Sequence, residues 1–273
     1  MFDPCRLENR AVIRLSGPDA IQFLHDLTTG PVAQLSDGQA AATLLLNSRG
    51  RIIFDLVVYR NGDGLILDSD GERIDNLIQM LGMYRLRREV EIRRQDDMSI
   101  IVSPEQTENT ICFADPRRTE IGFRQYVESD DLDYGNPAGY HEHRLSIGVA
   151  EGAGEIRIER DAALECNYDQ LGAIDWDKGC YMGQELTASL YHRSLLKKRL
   201  VPVTGDGNGD AGKIYADGKV VGDLRNMVNG HGIAMINISA MRDQSSFQLG
   251  EDGQRQIKIK IPDWLDIEHK ARK

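Results

Sequence analysis

Lys178-Gly179-Cys180-Tyr181-Met182-Gly183-Gln184-Glu185 is the stretch on which the reading of this chain turns. Two glycines flank a cysteine, which suits a tight loop with close backbone approach. Gly183-Gln184-Glu185-Leu186 has the make-up of a helix start. From Lys178 to Arg199 five cations (Lys178, Arg193, Lys197, Lys198 and Arg199) stand against one acid, Glu185, in a chain of net charge −10. A cysteine near a helix N-terminus and cations favours the thiolate, the form that attacks and that binds metal. These residues nominate Cys180 as a reactive thiol near an anion-friendly surface, and they name no substrate. A packed cysteine on a solvated charged face is the plain alternative.

The sequence changes character on the C-terminal side of this stretch. Val201-Pro202-Val203 leads into the turn cluster Thr204-Gly205-Asp206-Gly207-Asn208-Gly209-Asp210. Short apolar pieces follow at 218–224 and 232–238, and Gln256-Ile257-Lys258-Ile259-Lys260-Ile261 alternates with period 2. No long helix is visible there, so a small all-β domain is expected over 200–273.

The N-terminal side mixes helices and strands. Ala11–Leu15 reads as a strand, and Ser16 as the N-cap of a helix carrying Ile21, Leu24 and Leu27, with Gly30 as its stop. Apolar runs at 40–46 and 52–59 are separated by the turn Asn47-Ser48-Arg49-Gly50. Asn61-Gly62-Asp63-Gly64 turns into Leu65-Ile66-Leu67. Ile74, Leu77, Ile78 and Leu81 recur at helical spacing, and Val90 with Ile92, then 99–103, read as strands. Residues 130–143 are polar, with Gly and Pro, and read as a surface loop or a boundary between subdomains. Arg85, Arg87, Arg88, Arg93 and Arg94 read as solvated cations, with RNA binding the minority reading.

Composition narrows the class. The chain has 273 residues, 41% of them hydrophobic, enough apolar area to offset chain entropy, which excludes a disordered protein. No stretch nears the roughly 20 apolar residues that cross a bilayer, and the start carries no secretory pattern. The expectation is a cytoplasmic monomer with no membrane contact. The acidic balance argues against direct nucleic-acid binding. Cys5, Cys112, Cys166 and Cys180 form no C-x-x-C pair, and no stably bound metal is expected. His192 lacks a second ligand at a convincing spacing.

The octapeptide at 178–185 resembles the signature of the YgfZ family, folate-binding relatives of the glycine-cleavage T-protein. Leu186-Thr187-Ala188, His192-Arg193 and Lys197-Lys198-Arg199-Leu200 resemble that family and its mitochondrial iron–sulfur assembly branch. Gly17-x-Asp19-Ala20-x-x-Phe23-Leu24 with Thr28-Thr29, Gly50-Arg51-Ile52-x-x-Asp55, and Tyr84-Arg85-Leu86-Arg87 before Val90 also fit. The likeness covers most of the chain.

The resemblance implies an α+β architecture: a T-protein-like folate-binding fold with a central cavity over 1–199, in two subdomains, then a C-terminal β-barrel over 200–273. It implies an accessory factor for iron–sulfur cluster assembly or repair, indirectly supporting radical enzymes that modify tRNA. Client enzymes or assembly proteins are the implied partners. Tetrahydrofolate or a derivative is the implied ligand, with Asp55, Arg144 and Lys178 as its contacts and Cys180 as the functional thiol.

Departures from the T-protein pattern bear on the chemistry. Phe54-Asp55 stands where T-proteins carry paired aspartates, which halves the carboxylates available for proton handling. Arg144-Leu145-Ser146-Ile147-Gly148 is the best match to an Arg-Leu-Glu-x-Gly segment, with Ser146 in place of the pterin-facing Glu. Cys180 stands where T-proteins have Asp. An assembly factor therefore leads, with a folate-dependent aminomethyl transferase and a tRNA-binding module as alternatives.

Overall fold

The alternating apolar pattern of the chain folds into two sheets and a barrel. The computed structural model describes residues 2–108, 111–128, 134–193, 196–209, 211–243, 246–250 and 255–267. Strands β1 (Cys5–Arg6) and β2 (Arg10–Ser16) precede helix α1 (Ala20–Leu27). Then come β3 (Ala40–Leu46), β4 (Ile52–Asn61), β5 (Gly64–Asp70), α2 (Ile74–Arg85) and β6 (Glu91–Arg94). The body continues with β7 (Met98–Ser103), β8 (Ile111–Ala114), β9 (Phe123–Glu128), α3 (Ala138–Ile147) and α4 (Gln184–His192). The C-terminal part holds β10 (Lys198–Gly205), β11 (Gly212–Ala216), β12 (Lys219–Val228) and β13 (His231–Asn237). It ends with the short helix α5 (Ile238–Asp243), β14 (Phe247–Leu249) and β15 (Arg255–Ile259).

All strand pairs are antiparallel. One sheet has the order β3-β4-β5-β2-β6, the second β1-β7-β9-β8, and β10-β13-β12-β11-β14-β15 closes into a barrel. Closure removes sheet edges that would otherwise template aggregation. The expected hairpin forms at Asn47–Gly50, where the Asn47 Oδ1 accepts from the amides of Arg49 (2.9 Å) and Arg51 (3.0 Å).

Period 2 along β4 sorts its side chains. Phe54, Leu56 and Val58 pack with Phe23, Leu24, Leu77 and Leu81 beneath α1 and α2. Val57 faces the other way, with Val12, Ile66, Ile100, Tyr126 and Tyr168, toward the second sheet. Between the sheets runs a chain of buried ion pairs. Arg10 reaches Asp55 at 2.7 Å and Asp68 at 2.8 Å. Arg124 joins Asp68 (2.9 Å) to Glu151 (2.7 Å), and Arg117 joins Glu151 to Asp115, both at 2.7 Å. A cleft of about 310 Å³ opens beside this network, lined in part by Asp70, His141, Arg144, Glu151 and Asn226.

Buried polar contacts fix the barrel to the body. Arg199 on β10 donates to Leu164 O, Asn167 and Asp169, and Arg225 on β12 makes a forked pair with Asp161 at 2.9 and 3.0 Å. Trp264 Nε1 donates to Ile147 O at the end of α3.

Two sequence expectations change. Ser16 is not the cap of α1: it ends β2, and the N-cap is Asp19, whose carboxylate accepts from Glu89 N instead of from its own helix. Residues 138–143 are not loop but the first turns of α3. That helix buries Tyr140, Arg144 and Leu145 together, so a charged residue lies on its inner face and hides the apolar period. Within the expected loop, residues 130–133 lie outside the described part of the chain, as does Asp210 of the glycine-rich turn.

Candidate functional site

The Cys180 loop is held from three sides. On the first, Thr28-Thr29 after α1 holds the irregular segment 173–178. Thr29 Oγ1 donates to Ala173 O at 2.6 Å and Asp175 N donates to Thr29 O at 2.8 Å. Lys178 then inserts its ammonium among three carbonyls, donating to His25 O (2.5 Å), Thr28 O (2.6 Å) and Gly30 O (3.0 Å). Burial pushes Lys178 down to about 8, against the pull of Asp175 and Asp26.

On the second side, Gly183 lies against the β3–β4 turn with φ +81°. A Cβ there would stand 2.6 Å from Asn47 O. Left-handed backbone and absent space both call for glycine. Gly183 is the N-cap of α4, and Glu185 sits in the first turn, where a carboxylate offsets the positive end of the helix dipole. On the third side, Tyr84 Oη at the end of α2 donates to Met182 Sδ at 3.7 Å. Tyr181 points inward, 7% exposed, and burial pushes its hydroxyl up to about 12. Trp176 stacks on Tyr191 with centroids 3.9 Å apart, tying the loop to α4.

Between these anchors Gly179 and Cys180 are exposed. Cys180 is the exposed thiol of the four: Cys5 and Cys166 are buried and Cys112 is half-buried. Burial pushes Cys5 up to about 11 and Cys166 well above the ordinary thiol range. Among the described residues no three His, Cys, Asp or Glu side chains gather as metal ligands.

The local excess of positive charge does not form one surface. Lys178 is spent on carbonyls, Arg199 is fully buried against Asp169, and Lys198 lies 3.6 Å from Glu165. Arg193 and Lys197 remain exposed. The sequence sum counted residues that the fold points in different directions.

The three residues nominated for folate contact are each engaged internally. Asp55 pairs with Arg10; Arg144 holds Glu155 at 2.6 and 2.8 Å and Val149 O at 2.7 Å; Lys178 is clamped as described. They share no hydrogen-bond partner. Ser146, read as the counterpart of a pterin-facing Glu, closes onto His143 O of its own helix at 2.7 Å. The motif residues Lys178, Tyr181 and Gly183 thus build the loop, and Cys180 is what the loop presents.

Sequence reasoning missed the ion-pair chain through Arg10, Asp68, Arg124 and Glu151. Its members read as ordinary surface charges in alternating strands. It also missed the use of Thr28-Thr29, which was visible as a motif but not as an anchor.

Comparison with known proteins agrees with this architecture. Residues 7–100 match the GCVT N-terminal domain, and residues 197–267 match the CAF17 C-terminal beta-barrel domain. The chain is similar to the mitochondrial iron–sulfur cluster assembly factor IBA57 of Homo sapiens, at 28% identity over 95% of this chain and 84% of that protein. It is 27% identical to the Mus musculus protein of that name and to the Pyricularia oryzae homologue, with the same coverage. Among solved structures, the glycine cleavage system aminomethyltransferase T of Bartonella henselae superposes with a TM-score of 0.78 over 98% of this chain and 87% of that one. At 13% identity that likeness shows the fold alone.

The expectation of a cytoplasmic protein is overturned. The relatives matching nearly the whole chain are mitochondrial by name, which points to a mitochondrial setting instead. Along the chain a match to the GCVT N-terminal domain is thus followed by a match to the CAF17 C-terminal beta-barrel domain, on a T-protein-like fold.

Proposed function

We propose that this protein is an accessory factor in iron–sulfur cluster assembly and that Cys180 is its working group. The observation that carries the reading is the exposed Cys180 thiol on a loop fixed from three sides, in a chain whose relatives are named assembly factors. Such clusters are generally held by about four cysteine thiolates. Cys180 brings one, and the other cysteines are buried or half-buried. The thiol therefore acts on a cluster whose remaining ligands come from another protein or a small thiol. It loses its proton as it ligates, and the clamped backbone keeps it facing outward.

Tetrahydrofolate is the ligand class that the family resemblance suggests. Asp55, Arg144 and Lys178 do not fit it as free contacts, because each is already bonded within the protein. We derive no step through folate. YgfZ-like support of tRNA-modifying radical enzymes would follow as a downstream effect on clients.

The test is complementation in cells lacking their own family member. Wild-type protein restores the activity of an iron–sulfur enzyme, and Cys180→Ala at equal protein level does not. Equal rescue by both demotes Cys180 to a surface residue.

A further inference from the structure

Four large hydrophobic side chains are exposed among the described residues: Met83 (62%), Leu86 (85%), Val220 and Ile261. Two of them stand within one turn of each other at the end of α2. This end touches the Cys180 loop through Tyr84 and Met182.

Leu86 caps α2 with φ 50° and ψ −110°, a backbone that favours glycine. A leucine here is strained, and no burial of its side chain offsets the strain. Observed strain of this kind concentrates where proteins bind or react.

The neighbours on either side are cations. Arg85 spends one nitrogen on Val90 O and keeps its charge unneutralised; Arg87 makes no hydrogen bond or ion pair among the described residues. Arg88 is the exception, paired with Asp26 at 2.6 Å. An open depression of about 710 Å³ runs along Asp19, Tyr84, Arg85, Leu86, Arg87 and Arg88, three cations against one carboxylate that already accepts from Glu89 N. Two uncompensated cations around an exposed leucine stand out in a chain of net charge −10.

From these observations we infer that the turn Met83–Arg87 is the docking shoulder for the protein that shares a cluster with Cys180, and that this partner presents an apolar residue rimmed by carboxylates. The inference rests on the assembly reading above and names the surface and the partner's chemistry. The cations orient an acidic partner that the rest of the chain repels. Leu86 supplies the apolar anchor, on the helix end that touches the Cys180 loop through Tyr84 and Met182.

Leu86→Gly separates docking from folding. Glycine relaxes the strained backbone, so melting temperature holds or rises and Cys180 labels as in wild type. Rescue in the complementation assay falls by about tenfold, the factor contributed by one apolar anchor. Arg87→Glu lowers rescue likewise. A benzophenone amino acid at position 83, irradiated in the same cells, forms an adduct on an acidic, apolar segment of an iron–sulfur protein.

Full rescue by both variants overturns the inference, and a failing Cys180→Ala beside them leaves the assembly reading standing. An adduct with a second copy of this chain, or no adduct, also overturns it. If wild type itself does not rescue, both readings fall.

Discussion

Gly50 and Gly183 occupy the space where each other's side chain would begin. A Cβ on Gly183 would lie 2.8 Å from Gly50 Cα, and one on Gly50 would lie 2.8 Å from Gly183 O. Both have positive φ. The β3–β4 hairpin and the Cys180 loop thus fit by mutual absence of side chains.

Gly50→Ala or Gly183→Ala should each lower stability by about 1–3 kcal/mol in urea unfolding, through backbone strain and the forced separation. Gly179→Ala is the control: a Cβ there meets nothing within 4 Å, so its midpoint stays at the wild-type value. Equal effects at Gly179 and Gly183 would refute the packing argument.

The thiols should label in an order set by burial. One equivalent of a thiol reagent reacts fast in the native protein, at Cys180, and Cys180→Ala abolishes that phase. Cys5 and Cys166 react on unfolding, since burial raises both and denies access. Mass mapping of labelled peptides reads the result.

Lys178→Met removes the ammonium from three carbonyls. Amide exchange across 176–183 should speed up well before global unfolding does. The pH dependence has a definite sign. Lys178 sits at about 8 in the folded state, below its unfolded value near 10.4. The unfolded chain then binds more protons between these values, so wild-type stability rises relative to Lys178→Met from about pH 8 to 10. A flat difference would show that the ammonium is not held in a buried setting.

Acid acts on the ion-pair chain between the sheets. Burial alone would raise Asp115 and Glu151, but Arg117 and Arg124 more than reverse it, so both are held below the usual carboxylate range. Depressed values contribute stability above the unfolded value near 4 and lose it as pH falls toward the folded value. Glu151→Gln should cost about 1–3 kcal/mol at neutral pH by removing the carboxylate that Arg117 and Arg124 share, leaving Arg117 to Asp115 and Arg124 to Asp68, and should flatten the acid limb of the stability curve. Urea midpoints at pH 7, 5 and 4 check both.

Much of this was legible before folding, for physical reasons that differ by element. The β3–β4 hairpin follows from two apolar runs around an Asn-to-Gly turn, and the barrel from short alternating segments. The start of α4 followed from Gly183 and Gln184. Arg144 defeated the reading of α3, because a buried guanidinium paired with Glu155 looks like a surface charge until its partner is placed. Arg199 defeated the reading of the basic run in the same way. Long-range ion pairing leaves no local period, and it organised the centre of this protein.

The pairs Arg199–Asp169 and Arg225–Asp161 have a meaning for the history of the chain. A barrel moved to another protein would carry two guanidinium groups into a surface with no acids to receive them. The body left behind would keep Asp161 and Asp169 facing vacated ground. Shuffling of this module between genes is thereby discouraged at the level of charge, and body and barrel are expected to have been inherited together.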